Sequence, residues 1–158
     1  MSTSADSEQL RRAVELATEN VGAGGGPFGA VLLMPGGRRF EGVNRVTVAS
    51  DPTAHAEVVA IREACAQLET VSLRGAVLYA SCEPCPMCLA TALWARVGRV
   101  VFAAGREDAA RAGFDDAMFY AYFERPGHHL LLPTEQSRHA DAVEPFEAWL
   151  EHQGRIAY

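Results

Sequence analysis

GAVLYASCEPCPMCLATALWAR, residues 75–96, changes character halfway along. Its first part, 75–81, is a short apolar run of the kind that forms a buried strand, and LATALWAR at 89–96 suits a helix. Between them lie Cys82, Cys85 and Cys88, three of the chain's four cysteines, with Pro84 and Pro86 interleaved. Proline suits the first turn of a helix, so Cys85 and Cys88, three apart at the helix start, share one face. Exposed amides at a helix N-terminus favour the thiolate over the thiol. Two thiolates held this way are half of a zinc site, although a C-x-x-C alone also fits a thioredoxin-like redox motif.

Outward from this strand–helix unit, the rest of the chain supplies the partners of a layered fold. Asp6 to Gln9 reads as a capping box, followed by Leu10, Val14, Ala17 and Val21 at helical spacing. GAGGGPFGA at 22–30 ends that helix and leads into a strand, FGAVLLM. Gly24, Gly26 and Gly29 match the letters of G-x-G-x-x-G but precede a strand instead of joining strand to helix, which argues against dinucleotide binding. A turn where the backbone approaches something closely fits better. PGG at 35–37 turns the chain into a second strand near 38–48, making a hairpin. DPTAHAEVVAIREACAQL predicts a helix from about Thr53, with Val58, Ile61, Ala64, Cys65 and Leu68 on one face. A strand at 100–104, helix over most of 107–124, a last strand at 128–132 and a helix carrying Phe146, Trp149 and Leu150 follow, with Gly154 as the stop. Strands alternating with helices after a hairpin imply a mixed central sheet covered on both faces, a three-layer α/β/α sandwich. At 158 residues the chain fits a single domain, 1–158.

Composition narrows the partners. With 14 basic residues against 20 acidic, the chain is a poor match for a phosphate backbone, so no nucleic-acid partner is expected. No apolar run approaches the ~18 residues that span a bilayer, so no membrane partner is expected either. The opening MSTSADSEQLRRAVEL lacks the apolar core of a secretory leader, and crowded cysteines do not resemble a dispersed disulfide framework. These features predict a cytoplasmic protein with reduced thiols.

The second half of the metal site is His55-Ala56-Glu57. With Pro84-Cys85-x-x-Cys88 downstream, it matches the zinc deaminase signature H-x-E followed by P-C-x-x-C. His55, Cys85 and Cys88 provide three ligands and leave a fourth tetrahedral position open, as a catalytic zinc requires. Two thiolates reduce the metal's effective charge, so a base is needed, and Glu57 is the candidate to move the proton of a water. Residues two apart in a regular helix point away from each other, so the pairing requires an irregular first turn or one that faces a cavity. Cys82, at the strand end, reads as a small buried residue packed near the site and not as a ligand.

GGPFGAV, DPTAHAEVVAIREAC, SCEPCPMCLATALWAR, DAARAGFDDAMFY and PFEAWLEHQGRIAY together resemble the bacterial guanine deaminases of the cytidine deaminase superfamily. The resemblance implies a cytidine deaminase-like fold, one zinc per chain on His55, Cys85 and Cys88, and Glu57 as proton shuttle. It also implies Phe28 packed on a purine, Asn44 bonded to its edge, and Asp116 as a second catalytic carboxylate near the exocyclic amine. Tyr158 would close the pocket, on a C-terminal segment exchanged between the subunits of a homodimer. Trp94 would line the pocket or serve a core or interface.

The expected activity is hydrolytic deamination of a free nucleobase, guanine to xanthine plus ammonia, with a small purine base as partner. Guanosine, cytosine or cytidine, and amino-triazines suit the same chemistry, and so, less well given the acidic balance, does tRNA adenosine. A structural zinc module and a thiol redox protein are the alternatives from other classes. Neither needs a carboxylate beside the histidine.

Overall fold

The computed structural model describes residues 4–124, 131–137 and 139–157. In chain order its elements are α1 (Ser4–Gly22), β1 (Gly29–Leu33), β2 (Arg39–Val43), α2 (Val46–Ala49), α3 (Ala56–Leu68) and β3 (Val77–Cys82). Then come α4 (Pro86–Trp94), β4 (Arg99–Ala104), α5 (Arg106–Arg111), α6 (Ala117–Glu124) and α7 (Glu144–Glu151). The chain divides into two compact units, residues 1–120 and 121–158.

The first unit is built on a mixed four-stranded sheet in the order β2-β1-β3-β4. β1 is antiparallel to both β2 and β3, while β3 and β4 are parallel and joined through α4. Alternate residues of a strand face opposite sides of a sheet. Ala30 and Leu32 of β1 therefore join Phe40, Leu78 and the small face of α3 (Ala56, Ala60, Ala64) in one core. Val31 and Tyr79 point the other way and pack on Ala13 and Leu16 of α1. Burial on both faces explains why β1 and β3 read as continuous apolar runs without polar alternation. The sandwich expected from the sequence is the fold observed.

Glycine at 42 sets how closely α3 lies on the sheet. A Cβ there would stand 2.2 Å from the Ala56 carbonyl oxygen, so the first turn of α3 can rest directly on β2. That turn carries the histidine–glutamate pair.

Several local expectations are corrected. Asp6 is not the N-cap of α1, which already includes Ser4. It lies inside the first turn, 2% exposed, and accepts the Tyr79 hydroxyl at 2.8 Å and Arg99 at 3.2 and 2.8 Å. The second strand stops at Val43, because Asn44 Oδ1 takes the Val46 N–H at 3.2 Å and starts the short helix α2. The helical stretch after β4 is broken between α5 and α6, where Gly113 has a φ of 93° and Asp115 accepts the Ala117 N–H at 3.0 Å. Of the strand expected at 128–132, residues 128–130 lie outside the described residues, and Leu131 and Leu132 are not in a strand.

In the second unit, Tyr122 and Phe123 meet edge to face at 5.2 Å, and the Tyr122 hydroxyl donates to the Leu132 carbonyl at 3.2 Å. α7 forms where Phe146, Trp149 and Leu150 predict it, and Arg155 caps its end through the Leu150 carbonyl at 2.7 Å. Among the described residues, no helix is long and apolar enough to cross a membrane.

Candidate active site

The candidate metal ligands are brought together by two helix starts. β3 ends at Cys82, and a short turn delivers Cys85 as the N-cap of α4, with extended backbone (φ −68°, ψ 169°) and Pro86 next. Cys88, three residues on, is fully buried. On the neighbouring segment, Asp51 folds the turn by accepting the Thr53 N–H at 2.8 Å and its hydroxyl at 2.7 Å. That turn leads into His55, the N-cap of α3, also extended (φ −66°, ψ 153°). Here lies the answer to the spacing problem: His55 is outside the helix and Glu57 inside its first turn, so helical geometry does not splay them.

His55 Nδ1 is 3.5 Å from Cys85 Sγ and 3.4 Å from Cys88 Sγ, and the two sulfurs are 3.6 Å apart. A tetrahedral zinc, with bonds of ~2.3 Å to sulfur and ~2.0 Å to nitrogen, sets ligand atoms about 3.5–3.8 Å apart. The triangle therefore fits zinc in donor type and spacing, and these residues could hold one ion. Cys82 is not part of the triangle; its thiol donates to the Gly105 carbonyl at 3.6 Å.

Electrostatics follow from the crowding. The hydrogen bond between the sulfurs holds the Cys85 thiol down to about 4, with His55 adding. The same bond, together with burial, pushes Cys88 up. Cys85 in turn raises the His55 imidazole. Glu57 is buried beside them, within 3.5 Å of Cys88 Sγ, and burial pushes its carboxyl above the usual carboxylate range.

His55, Glu57 and Cys85 open onto a cavity of about 330 Å³, at the small end of ligand pockets, with Cys88 buried behind them. Phe28, Asn44 and Asp116 line this cavity too. Asn44 is held by its N–H on the Phe28 carbonyl (3.0 Å) and by its own carbonyl on the Asn20 amide (2.7 Å). Glycine 25 belongs to this arrangement, since a Cβ there would lie 2.2 Å from the Asn20 amide nitrogen. Asp115 and Asp116 both border the cavity; Asp115 also caps the turn before α6, and the Asp116 carboxyl is raised by burial and then by Cys85.

Two further expected residues remain to be placed. Trp94 does not line the cavity; it is 63% exposed at the far end of α4, nine residues and roughly 13 Å of helix from Cys85. Tyr158 lies outside the described residues. Conversely, Phe114, Phe119, Glu83 and Arg106 line the cavity without having been singled out from sequence. Phe114 meets Phe28 edge to face at 5.0 Å. Its place in AGFDD, beside Asp116, was the available signal.

A buried carboxyl group beside a triangle of one imidazole and two cysteine sulfurs, on a small cavity of an α/β/α sandwich, is the arrangement of a zinc hydrolase site. The chain belongs to the family with the cytidine and deoxycytidylate deaminase zinc-binding region, whose model matches residues 3–104. It is 48% identical over 150 residues to the guanine deaminase of Bacillus subtilis (strain 168), covering 94% of this chain and 96% of the relative. A crystal structure of guanine deaminase from Bacillus subtilis superposes with a TM-score of 0.91 at 47% identity, covering 96% of this chain and 98% of that one. A structure in complex with 2,6-diaminopurine gives a TM-score of 0.67 at 32% identity, over 73% of this chain and 65% of that one. The tRNA-specific adenosine deaminase of Haemophilus influenzae is 38% identical over 130 residues, 82% of this chain and 73% of the relative.

Proposed function

We propose that this protein is a zinc-dependent deaminase that hydrolyses guanine to xanthine and ammonia. The observation that carries the reading is the convergence of the His55–Cys85–Cys88 triangle with Glu57 and Asp116 on one small cavity. His55, Cys85 and Cys88 would hold the zinc, which when bound supplies a Lewis acid that lowers the pKa of water toward neutrality. Glu57 accepts the proton that water gives up and delivers it to a ring nitrogen; its burial makes it a stronger base than an exposed carboxylate. Phe28, steadied by Phe114, packs on the flat ring, and Asn44 bonds the purine edge. Asp116 accepts from the N–H groups beside the exocyclic amine, which guanine offers at C2. Oxygen from water is added at C2, the C2–N bond breaks, and the amine leaves as ammonia.

The substrate choice is supported by the near full-length similarity to a guanine deaminase and by a related structure that holds a diaminopurine. The similarity to tRNA adenosine deaminases favours a second reading, which the 20 acidic against 14 basic residues weigh against. Ammonia release from guanine, guanosine, adenine, cytosine, cytidine and an amino-triazine separates these readings. Guanine is expected to be fastest; robust turnover of cytidine with none of guanine would overturn the substrate and leave the zinc chemistry.

The same reading includes a homodimer in which the C-terminal segment, ending at Tyr158, covers the partner's pocket. Its support is α7, whose Phe146 and Leu150 are 69% and 65% exposed in the single chain, an apolar surface that a second copy would cover.

A further inference from the structure

The three residues that precede the ligand Cys85 are each gripped by the segment 104–120. Cys82 donates its thiol to the Gly105 carbonyl at 3.6 Å. Glu83 donates its N–H to the Ala104 carbonyl at 2.8 Å, and its carboxylate accepts the Arg106 backbone N–H and pairs with Arg106 Nε, both at 3.3 Å. The Pro84 carbonyl accepts the Tyr120 hydroxyl at 2.6 Å. Arg106 also braces that tyrosine from the side, its guanidinium carbon 4.3 Å from the ring centre. One cation thus holds both the Glu83 carboxylate and the Tyr120 ring.

Tyr120 is one helical turn beyond Asp116. Its N–H and that of Phe119 donate to the Asp116 carbonyl, at 3.4 and 2.9 Å, so residues 116–120 move as one piece. At the other end, Pro84 is directly bonded to Cys85. The path from the second carboxylate to the metal turn therefore runs through a helical turn, one hydroxyl and a proline.

We infer that Tyr120 is a positioning residue for the reaction: its hydroxyl, braced by Arg106, sets the separation between Asp116 and the turn that carries Cys85. The inference rests on the proposed role of Asp116 as the carboxylate beside the departing amine. Burial, with Asp116 adding, pushes the Tyr120 phenol up to about 12, so the hydroxyl remains a donor throughout the neutral range. A tyrosine that only filled space would not need this oxygen. One that sets the reach of a catalytic carboxylate does, because misplacing a group by about 1 Å costs up to roughly a hundredfold in rate.

Tyr120→Phe, Asp116→Asn and the double variant, each loaded with zinc, test the assignment on guanine. Hypoxanthine, which is guanine without the 2-amino group, serves as a calorimetric probe of the pocket. Tyr120→Phe is expected to keep its zinc, its melting temperature and its hypoxanthine affinity, while kcat on guanine falls at least about tenfold and KM changes little. The double variant is expected to be no slower than Asp116→Asn, since both changes remove one function. Arg106→Gln, which keeps the hydroxyl and removes its brace, is expected to lower kcat in the same direction by a smaller factor. Wild-type kcat in Tyr120→Phe beside an impaired Asp116→Asn overturns the inference alone, as does multiplication of the two losses or release of zinc by Tyr120→Phe. Wild-type kcat in Asp116→Asn overturns the role of Asp116, and the inference with it.

Discussion

Glu57 is the residue on which the proposed chemistry turns. It is buried against Cys88 with its proton affinity raised, which suits a base and would be a poor choice for a structural metal site. Glu57→Gln is nearly isosteric but accepts no proton. It should keep zinc and fold while turnover falls ~10²–10⁴-fold, toward the upper figure because one residue serves several transfers. Activity within tenfold of wild type would remove Glu57 from that role. The three cysteines of the cluster should separate equally clearly. Cys85→Ala should lose zinc, whereas Cys82→Ser should retain zinc and most activity, as metal analysis of the purified variants will show. Asp116→Ala should keep zinc but depress guanine turnover, with a loss of ~1–3 kcal/mol for an unpaired buried partner. Residues with distinctive chemistry were legible in the sequence: imidazole, thiol and carboxylate at ligand spacing have few other uses. Phe114 and Phe119 were not, because an aromatic that lines a pocket has the same sequence appearance as one that fills a core.

The elements place these residues through their ends more than their interiors. Both His55 and Cys85 are extended N-cap residues, so each projects from a helix start instead of along a helix face. The two strands and two helices that converge there were predicted from hydrophobic runs, and their cores form as expected. What local pattern misreads is competition from distant partners. Asp6 followed by Gln9 has the local form of a capping box, yet Asp6 is claimed by Tyr79 and Arg99, 73 and 93 residues away, which no local pattern contains. The second strand likewise ends early because Asn44 satisfies a backbone N–H two residues on. The Asp6 interaction carries its own prediction. Asp6→Asn should weaken the tie between α1 and strands β3 and β4, costing ~1–3 kcal/mol for a hydrogen bond to a buried charged group. That corresponds to a fall of roughly 3–10 °C in melting temperature. Asp6 does not line the catalytic cavity, so kcat on guanine should be unchanged; an unaltered melting temperature would contradict the role.

For the whole molecule, the sandwich and the ligand triangle account for a zinc deaminase, and the dimer completes the proposal. If the tail ending at Tyr158 crosses between subunits, deleting residues 155–158 should leave a zinc-loaded dimer with sharply reduced guanine turnover. Mixing this truncation with Glu57→Gln should recover activity on subunit exchange, because a mixed dimer can pair an intact tail with an intact site. No recovery from confirmed mixed dimers would rule out the exchange. The fold's outline needed only periodicity, while the proposed closing of the pocket by a second copy rests on contacts between chains, which one chain's pattern does not specify. Hydrolysis of guanine at C2 is checked by incubating the zinc-loaded protein with guanine in water enriched in oxygen-18 and weighing the product. Xanthine carrying one solvent oxygen, and one ammonia per xanthine, are expected, both lost when the metal is stripped and restored when zinc returns. Zinc-loaded protein that releases no ammonia from guanine, or xanthine formed without solvent oxygen, would contradict hydrolysis at C2.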